Sequence, residues 1–241
     1  MKKVLPGIFA IFMVASLVAQ PIYKNPDATT ENRVADLLAR MTTREKIGQL
    51  CAPLGWEMYE KQGDEVVVSD KYKKLMAESN PGVFWAVLRA DPWTQKTLRT
   101  GLNPGLSAKA LNELQRYTIE NSRLGIPLLI AEECAHGHMA IGTTVFPTSL
   151  AQASTFNREL IFQMGEAIAL EARLQGAHIG YGPILDIARD PRWSRMEETF
   201  GEDPVLTGVL GSEFVKGLQG NDIKEGRHVY STLKHFAAYG I

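Results

Sequence analysis

The chain has 241 residues, 45% hydrophobic and 22% charged, with a formal net charge of −1. That is ordinary globular composition, long enough to bury one sizeable core. The mixed charges, without a basic stripe or a charged tail, exclude an electrostatic nucleic-acid binder, and two cysteines are too few for a disulfide-stapled scaffold.

At the N-terminus, Lys2 and Lys3 precede an apolar run from Val4 to Val18, broken only by Pro6, Gly7 and Ser16. Leu17 and Ala19 then offer a cleavage site that leaves Gln20 as the new start, the layout of a secretory signal peptide. The run is shorter than the roughly 20 apolar residues of a membrane span, and no second span follows. The reading is therefore a signal peptide over residues 1–19 and an exported body over 20–241, periplasmic or secreted, with no stable membrane insertion after cleavage. Loss of the leader takes the net charge to −3. No cysteine stands at the cleavage site, so no lipid anchor is expected. Cys51 and Cys134 are read as two buried free thiols rather than one bridge, and neither has the spacing of a metal ligand.

Beyond the leader, helical patterns alternate with short apolar runs. Thr42 and Glu45 form a capping-box pattern that opens a helix over 43–50. Ser107 is the predicted cap of a long helix through Arg123, with Ala110, Leu111, Leu114, Tyr117 and Ile119 near helical spacing. Gly125-Ile126-Pro127 ends it, and 128–131 reads as a buried strand. Asn157 caps the next helix, whose apolar face is Leu160, Ile161, Met164, Ile168 and Leu170. After Gln175-Gly176 comes a strand over 178–184. Asp203-Pro204 starts a further helix that runs to Gln219, and a strand follows over 229–233. Strands alternating with helices predict βαβ units and a parallel sheet, either a β/α barrel or an open doubly wound sheet. No G-x-G-x-x-G turn follows a strand, so no dinucleotide cofactor is expected.

Polar clusters follow three of these strands: Glu132, Glu133 and His136; then Asp186, Arg189, Asp190, Arg192 and Arg195; then Lys234 and His235. In β/α barrels the C-terminal strand ends build the active site, and packing alone does not call for such clusters. Several of these residues have plainer roles. Glu132 reads as a loop carboxylate, and Asp186, Arg189, Asp190 and Arg192 as a mutually paired set that holds a loop. His136 reads as a turn residue, while His138 and His178 read as locally satisfied groups. Trp193 serves either to stack on a ligand or to pack under the loop, and Glu197, Glu198 and Glu202 belong to the loop and the next helix start.

Four stretches, in order, resemble the N-terminal (β/α)8 barrel domain of glycoside hydrolase family 3. They are IPLLIAEECAHG (126–137), TTVFPTSLAQASTFN (143–157), GPILDIARDPRWSRMEETFGEDP (182–204) and STLKHFAAYG (231–240). The fold class that follows is α/β, the incomplete N-terminal portion of a TIM-type barrel: about five strands precede Ile241, where a closed barrel has eight. The resemblance implies exo-acting, retaining hydrolysis of β-glucosides or β-linked oligosaccharides. Glu133, Arg195, Lys234 and His235 would then line the subsite of the sugar that is released. A carboxylate acceptor and charge-assisted donors suit sugar hydroxyls, each such bond being worth about 1.5–3 kcal/mol.

Two positions depart from the family pattern. Ser194 replaces a usual glycine, and Glu133 stands where glucosidase relatives often have aspartate, which leaves hexose against pentose preference open. Lys234-His235 continues with Phe236 and Ala237 rather than P-G-H-G, which favours the β-glucosidase-like branch over the hexosaminidase branch. Retaining hydrolysis needs two carboxyl groups about 5–5.5 Å apart. The resemblance puts the nucleophile on a later strand and the acid/base on a second domain, so both are expected beyond Ile241 and this chain alone is expected to be inactive. Neither a metal nor a cofactor is implied. The other readings are a β-xylosidase of the same branch, a non-catalytic sugar-binding remnant, and Schiff-base chemistry at Lys234.

Overall fold

The structure is a computed structural model that describes residues 20–236 together with 239 and 240. The leader assigned to residues 1–19 lies outside the described residues. The chain divides into two compact units, one through Thr42 and one from Thr43 onward.

The described part of the first unit is one short helix, α1 (Thr30–Arg40), and the segment before it. The Thr29 hydroxyl accepts from the Asn32 N–H and so caps one of the free donors of the first turn. Asp36 receives the Arg40 guanidinium at 2.9 Å one turn later and also accepts from the Tyr23 N–H, which pins the incoming strand of chain to the helix.

In the second unit, α2 (Thr43–Gln49) begins where the capping-box pattern puts it, and Glu45 pairs with Arg123 at 2.5 Å. Next comes an antiparallel hairpin, β1 (Tyr59–Gln62) and β2 (Glu65–Val68), then α3 (Asp70–Glu78) and β3 (Val83–Trp85). Three strand–helix repeats complete the described chain: α4 (Pro104–Asn121), β4 (Leu129–Glu133), α5 (Ser149–Ala153) with α6 (Arg158–Leu174), β5 (Ile179–Ile184), α7 (Pro204–Gln219) and β6 (Tyr230–Lys234). The four strands β3-β4-β5-β6 are parallel and adjacent in chain order, each joined to the next through helix, which is the βαβ arrangement expected. Beside β3, Gly55 N donates to Trp85 O and Trp85 N to Pro53 O, so a short fifth segment runs parallel to it.

Three sequence expectations change. The hairpin and β3 were not anticipated, because β1 and β2 are four residues each and β3 three, too short for a clear alternating pattern. The long helix starts at Pro104 rather than after Ser107: Asn103 accepts from Leu106 N at 2.9 Å, proline occupies the first turn, and Ser107 lies buried inside the helix. Both cysteines are free, but Cys51 is exposed and only Cys134 is buried. The caps at Asn157 and Asp203 stand as read, with Leu160 N donating to Asn157 and both Val205 N and Leu206 N to Asp203.

Two apolar clusters flank the sheet. One packs Tyr72, Phe84, Leu106, Leu114 and Ile130 against Met58 and the hairpin residues Tyr59 and Val66. The other joins Ile161, Ile168, Phe200, Phe214, Leu218 and Val229 around Cys134. Each fully buried large side chain contributes roughly 1.5–3 kcal/mol of transfer free energy. Helices α6 and α7 cross at Gly165 and Gly217, where a Cβ on Gly217 would stand 2.3 Å from the Phe162 carbonyl oxygen. Only a residue without a side chain lets the two backbones approach so closely.

Candidate active site

Because β4, β5 and β6 are parallel, their C-terminal ends meet at one edge of the sheet. β4 ends in Glu133, β6 in Lys234, and β5 leads through Leu185 into Asp186; Leu185 N donates to Lys234 O at 2.7 Å and ties the last two ends together. The β4 strand therefore runs two residues further than the apolar pattern suggested, and Glu132 and Glu133 are strand residues pointing to opposite faces.

Glu133 accepts both hydrogen bonds that it receives from Lys234 Nζ, at 2.7 and 2.8 Å. Their side chains are 8% and 12% exposed, so this is a nearly buried ion pair. The Tyr181 ring lies 5.7 Å from the same ammonium and fixes it from another side. Next to it, Asp186 Oδ2 sits 2.6 Å from His235 Nδ1. A carboxylate at that distance accepts a hydrogen bond from Nδ1–H and leaves Nε2 of the neutral ring as an acceptor, which faces Arg195 Nη1 at 3.4 Å. Arg195 grips Glu198 through Nε and Nη2, at 2.6 and 2.5 Å, and reaches the Tyr239 hydroxyl at 3.2 Å. The Glu198 carboxylate holds this guanidinium charged and pushes its pKa up. Burial alone would raise the Glu198 carboxyl, but Arg195 outweighs it and brings the group below the ordinary range.

All four residues singled out from the sequence, Glu133, Arg195, Lys234 and His235, line one cavity of about 600 Å³. The structure adds a second wall that the sequence did not reveal: Trp85, Arg89 and Trp93. Arg89 pairs with Asp91 at 2.6 Å and lies over both indoles, 4.7 Å from the Trp93 ring and 5.9 Å from that of Trp85. Trp85 stacks in turn on Tyr181 with centroids 6.0 Å apart, and Trp56 meets Trp93 edge-on at 4.9 Å. Another groove, of about 450 Å³, lies between α5 and the start of α7, but it is lined mostly by apolar groups such as Leu150, Phe156, Phe200 and Leu206.

Several individual readings are corrected by these contacts. Asp186 does not join the loop arginines; it binds His235, while Asp190 and Arg192 pair with each other. Glu197 and Glu198 lie in the loop as read, but Glu198 is also an ion-pair partner of Arg195 and both line the cavity. His136 lines the cavity as well. Trp193 packs edge-on against Tyr239, 5.3 Å between centroids, and does not line it. His178 is satisfied, accepting from Ile130 N, but both ring nitrogens of His138 are buried without a partner, and burial lowers its pKa to about 4. Glu132 is fully buried on the other face of β4 and does not line the cavity. Among the described residues no helix is long and apolar enough to cross a membrane.

A parallel α/β sheet that gathers paired carboxylates and cations at its C-terminal strand ends is the design of a barrel-type enzyme domain. Residues 42–241 match the profile described as Glycosyl hydrolase family 3 N terminal domain, and the chain belongs to that family. A periplasmic beta-glucosidase of Salmonella typhimurium is 32% identical over 238 residues, covering 97% of this chain and 27% of its own length. A beta-xylosidase of Formosa agariphila is 37% identical over 158 residues, covering 62% of this chain and 22% of its own. Among solved structures, the beta-glucosidase of Listeria innocua in complex with glucose superimposes with a TM-score of 0.69 at 31% identity, over 88% of this chain and 27% of that one. The chain thus spans about a quarter of the length of these curated relatives.

Proposed function

We propose that this chain builds the sugar-binding wall of an exported, exo-acting retaining β-glycosidase of the β-glucosidase-like branch, acting on β-glucosides or β-linked oligosaccharides. The observation that carries the reading is the meeting of Glu133, Lys234, His235 and Arg195 in one cavity at the strand ends. The kinship to a periplasmic beta-glucosidase and to a structure holding glucose supports both the substrate class and the export. The signal-peptide pattern of residues 1–19 supports the export independently.

In this reading Glu133 accepts from two neighbouring hydroxyls. Lys234 spends two of its three N–H donors on Glu133 and keeps one for the sugar. His235, turned by Asp186, and Arg195, turned by Glu198, present their edges to the same space. Glu133 and Glu198 are each gripped by a cation, which suits binding and not nucleophilic attack. We therefore assign neither the nucleophile nor the acid/base to a residue of this chain.

Glu133 also favours a second substrate. Its arm is one methylene longer than the aspartate of many glucosidase relatives, and a beta-xylosidase is among the kin, so β-xylosides compete with β-glucosides for this reading. Hydrolysis of aryl β-glucoside and aryl β-xyloside by the gene product at its natural length tests the proposal, and the ratio of kcat/KM values decides between the two. Millimolar glucose binding without turnover, lost in Lys234→Ala, would leave a sugar-binding protein. Absence of both binding and turnover overturns the proposal.

A further inference from the structure

The buried carboxyl of Glu132 takes no part in the chemistry proposed above, yet it stands at a junction. Just after β3 the chain turns through Ala86, whose φ of +61° is left-handed, and Ala86 N donates to Ala131 O at 2.8 Å. The turn points the next two backbone N–H groups, of Val87 and Leu88, into the protein. Leu88 N donates to Glu132 Oε1 at 2.9 Å, and the Val87 N–H lies on the same side and lowers the pKa of that carboxyl. Both residues are buried, so no water is at hand to replace the acceptor. The next residue is Arg89, the centre of the aromatic wall, bridged to Ala140 on its other side.

We infer that Glu132 is a positioning residue: its carboxyl clamps the backbone at Val87 and Leu88 and thereby holds Arg89, Trp85 and Trp93 in place as the second wall of the sugar cavity. Its activity arm rests on the glycosidase reading; its structural arm does not.

The chemistry of the clamp is that of a neutral acid. Glu132 Oε2 is buried with no hydrogen-bond partner, and burial raises the group to about 8, helped by the neighbouring Glu133 carboxylate and opposed by the two backbone donors and Arg89. The other titratable groups that face it are the Tyr59 phenol on β1 and the Cys134 thiol at the end of β4, both of which its charge would push up. The proton then rests on Oε2 while Oε1 accepts, an arrangement that a glutamine copies. The sign of the linkage follows. The unfolded chain releases this proton in the ordinary carboxylate range, whereas the folded chain keeps it to about 8. Stability from this group therefore falls as pH rises between those limits and levels off above the upper one.

The test compares Glu132→Gln and Glu132→Ala with the parent protein at natural length, by tryptophan emission, thermal melting against pH, and aryl-glycoside kinetics. Trp85 and Trp93 belong to the wall and Trp56 packs edge-on against Trp93, so a change in their emission between parent and variant reports on it. Glu132→Gln should keep the parent emission and KM near pH 6.5, melt higher than the parent by a margin that grows toward pH 8, and lack the rise in KM that the parent shows above that pH. Glu132→Ala should shift the emission to the red and raise KM about fivefold, with kcat changed less than twofold. Parent-like emission and KM in Glu132→Ala, or a parent-like melting and KM profile in Glu132→Gln, overturns the inference. If Glu132→Ala does not fold, the Glu132→Gln profiles decide. A parent that hydrolyses no glycoside sinks the glycosidase reading, and emission and melting then decide the clamp alone.

Discussion

The wall of the cavity built from β4, β5 and β6 holds its groups by charge, and the wall built from the segment after β3 holds them by ring packing. On the first wall three groups each have their own carboxylate: Lys234 has Glu133, Arg195 has Glu198 and His235 has Asp186. On the second, Arg89 has Asp91 but rests on two indoles, and Trp93 is 56% exposed. Directional, paired donors fix where each hydroxyl of a ligand must lie. Flat rings bind a sugar face with little demand on its hydroxyl pattern. Under the proposed function the first wall would recognise the released sugar and the second would tolerate what is attached to it.

The largest effect is expected from breaking the charged wall at its centre. Lys234→Met leaves the Glu133 carboxylate nearly buried without its cation, a change that costs about 3–5 kcal/mol where such pairs are broken. A melting temperature well below the parent's, and a fall in kcat/KM of about 100-fold, are the expected outcomes. Adding Glu133→Gln should recover much of the stability and none of the activity. Recovery of activity in the double variant would show that the pair holds the fold and does not meet the sugar.

How far the sequence disclosed this site follows the same contrast. The charged wall was legible in two steps: polar clusters stand past apolar strand patterns, and the family resemblance, not position, implied Glu133, Lys234, His235 and Arg195 from among them. Their partners were less so: Asp186 was read as a mate for Arg189 and Arg192, which lie nearby in sequence, while its true partner His235 is 49 residues away. The aromatic wall was hidden. Trp85 ends a three-residue strand, Arg89 and Trp93 lie in a loop, and nothing in local spacing says that Tyr181 on β5 will stack on Trp85. The helices α6 and α7 were well marked, since a helix carries several turns of periodic signal, whereas the hairpin strands carry two alternations each.

A smaller effect probes the orientation of one group in the charged wall. Asp186→Asn keeps the shape but replaces the carboxylate that fixes the His235 tautomer, so the ring is free to present Nε2–H to Arg195 and turn away. The expected loss in kcat/KM is about tenfold, near 1.4 kcal/mol, without a large change in melting temperature. An unchanged rate would mean that Arg195 and Tyr239 alone hold the imidazole.

The smallest effect is expected on the aromatic wall, and it is the most informative about the division of labour. Removing the Trp93 ring in Trp93→Ala takes a half-exposed surface from the cavity and uncovers one face of Arg89, but leaves Glu133, Lys234 and His235 with all their partners. Ring contacts of this kind are worth about 0.5–1.5 kcal/mol. KM for an aryl glycoside should therefore rise about threefold while kcat stays constant, because the lost contact is the same in the ground and transition states. Trp93→Phe should recover most of the loss, since a smaller ring still offers a face. The ratio of β-glucoside to β-xyloside rates should stay as in the parent in both variants, because the proposed function puts that choice at Glu133. A changed ratio in Trp93→Ala would mean that the two walls jointly select the sugar, and the division argued from their construction would fail.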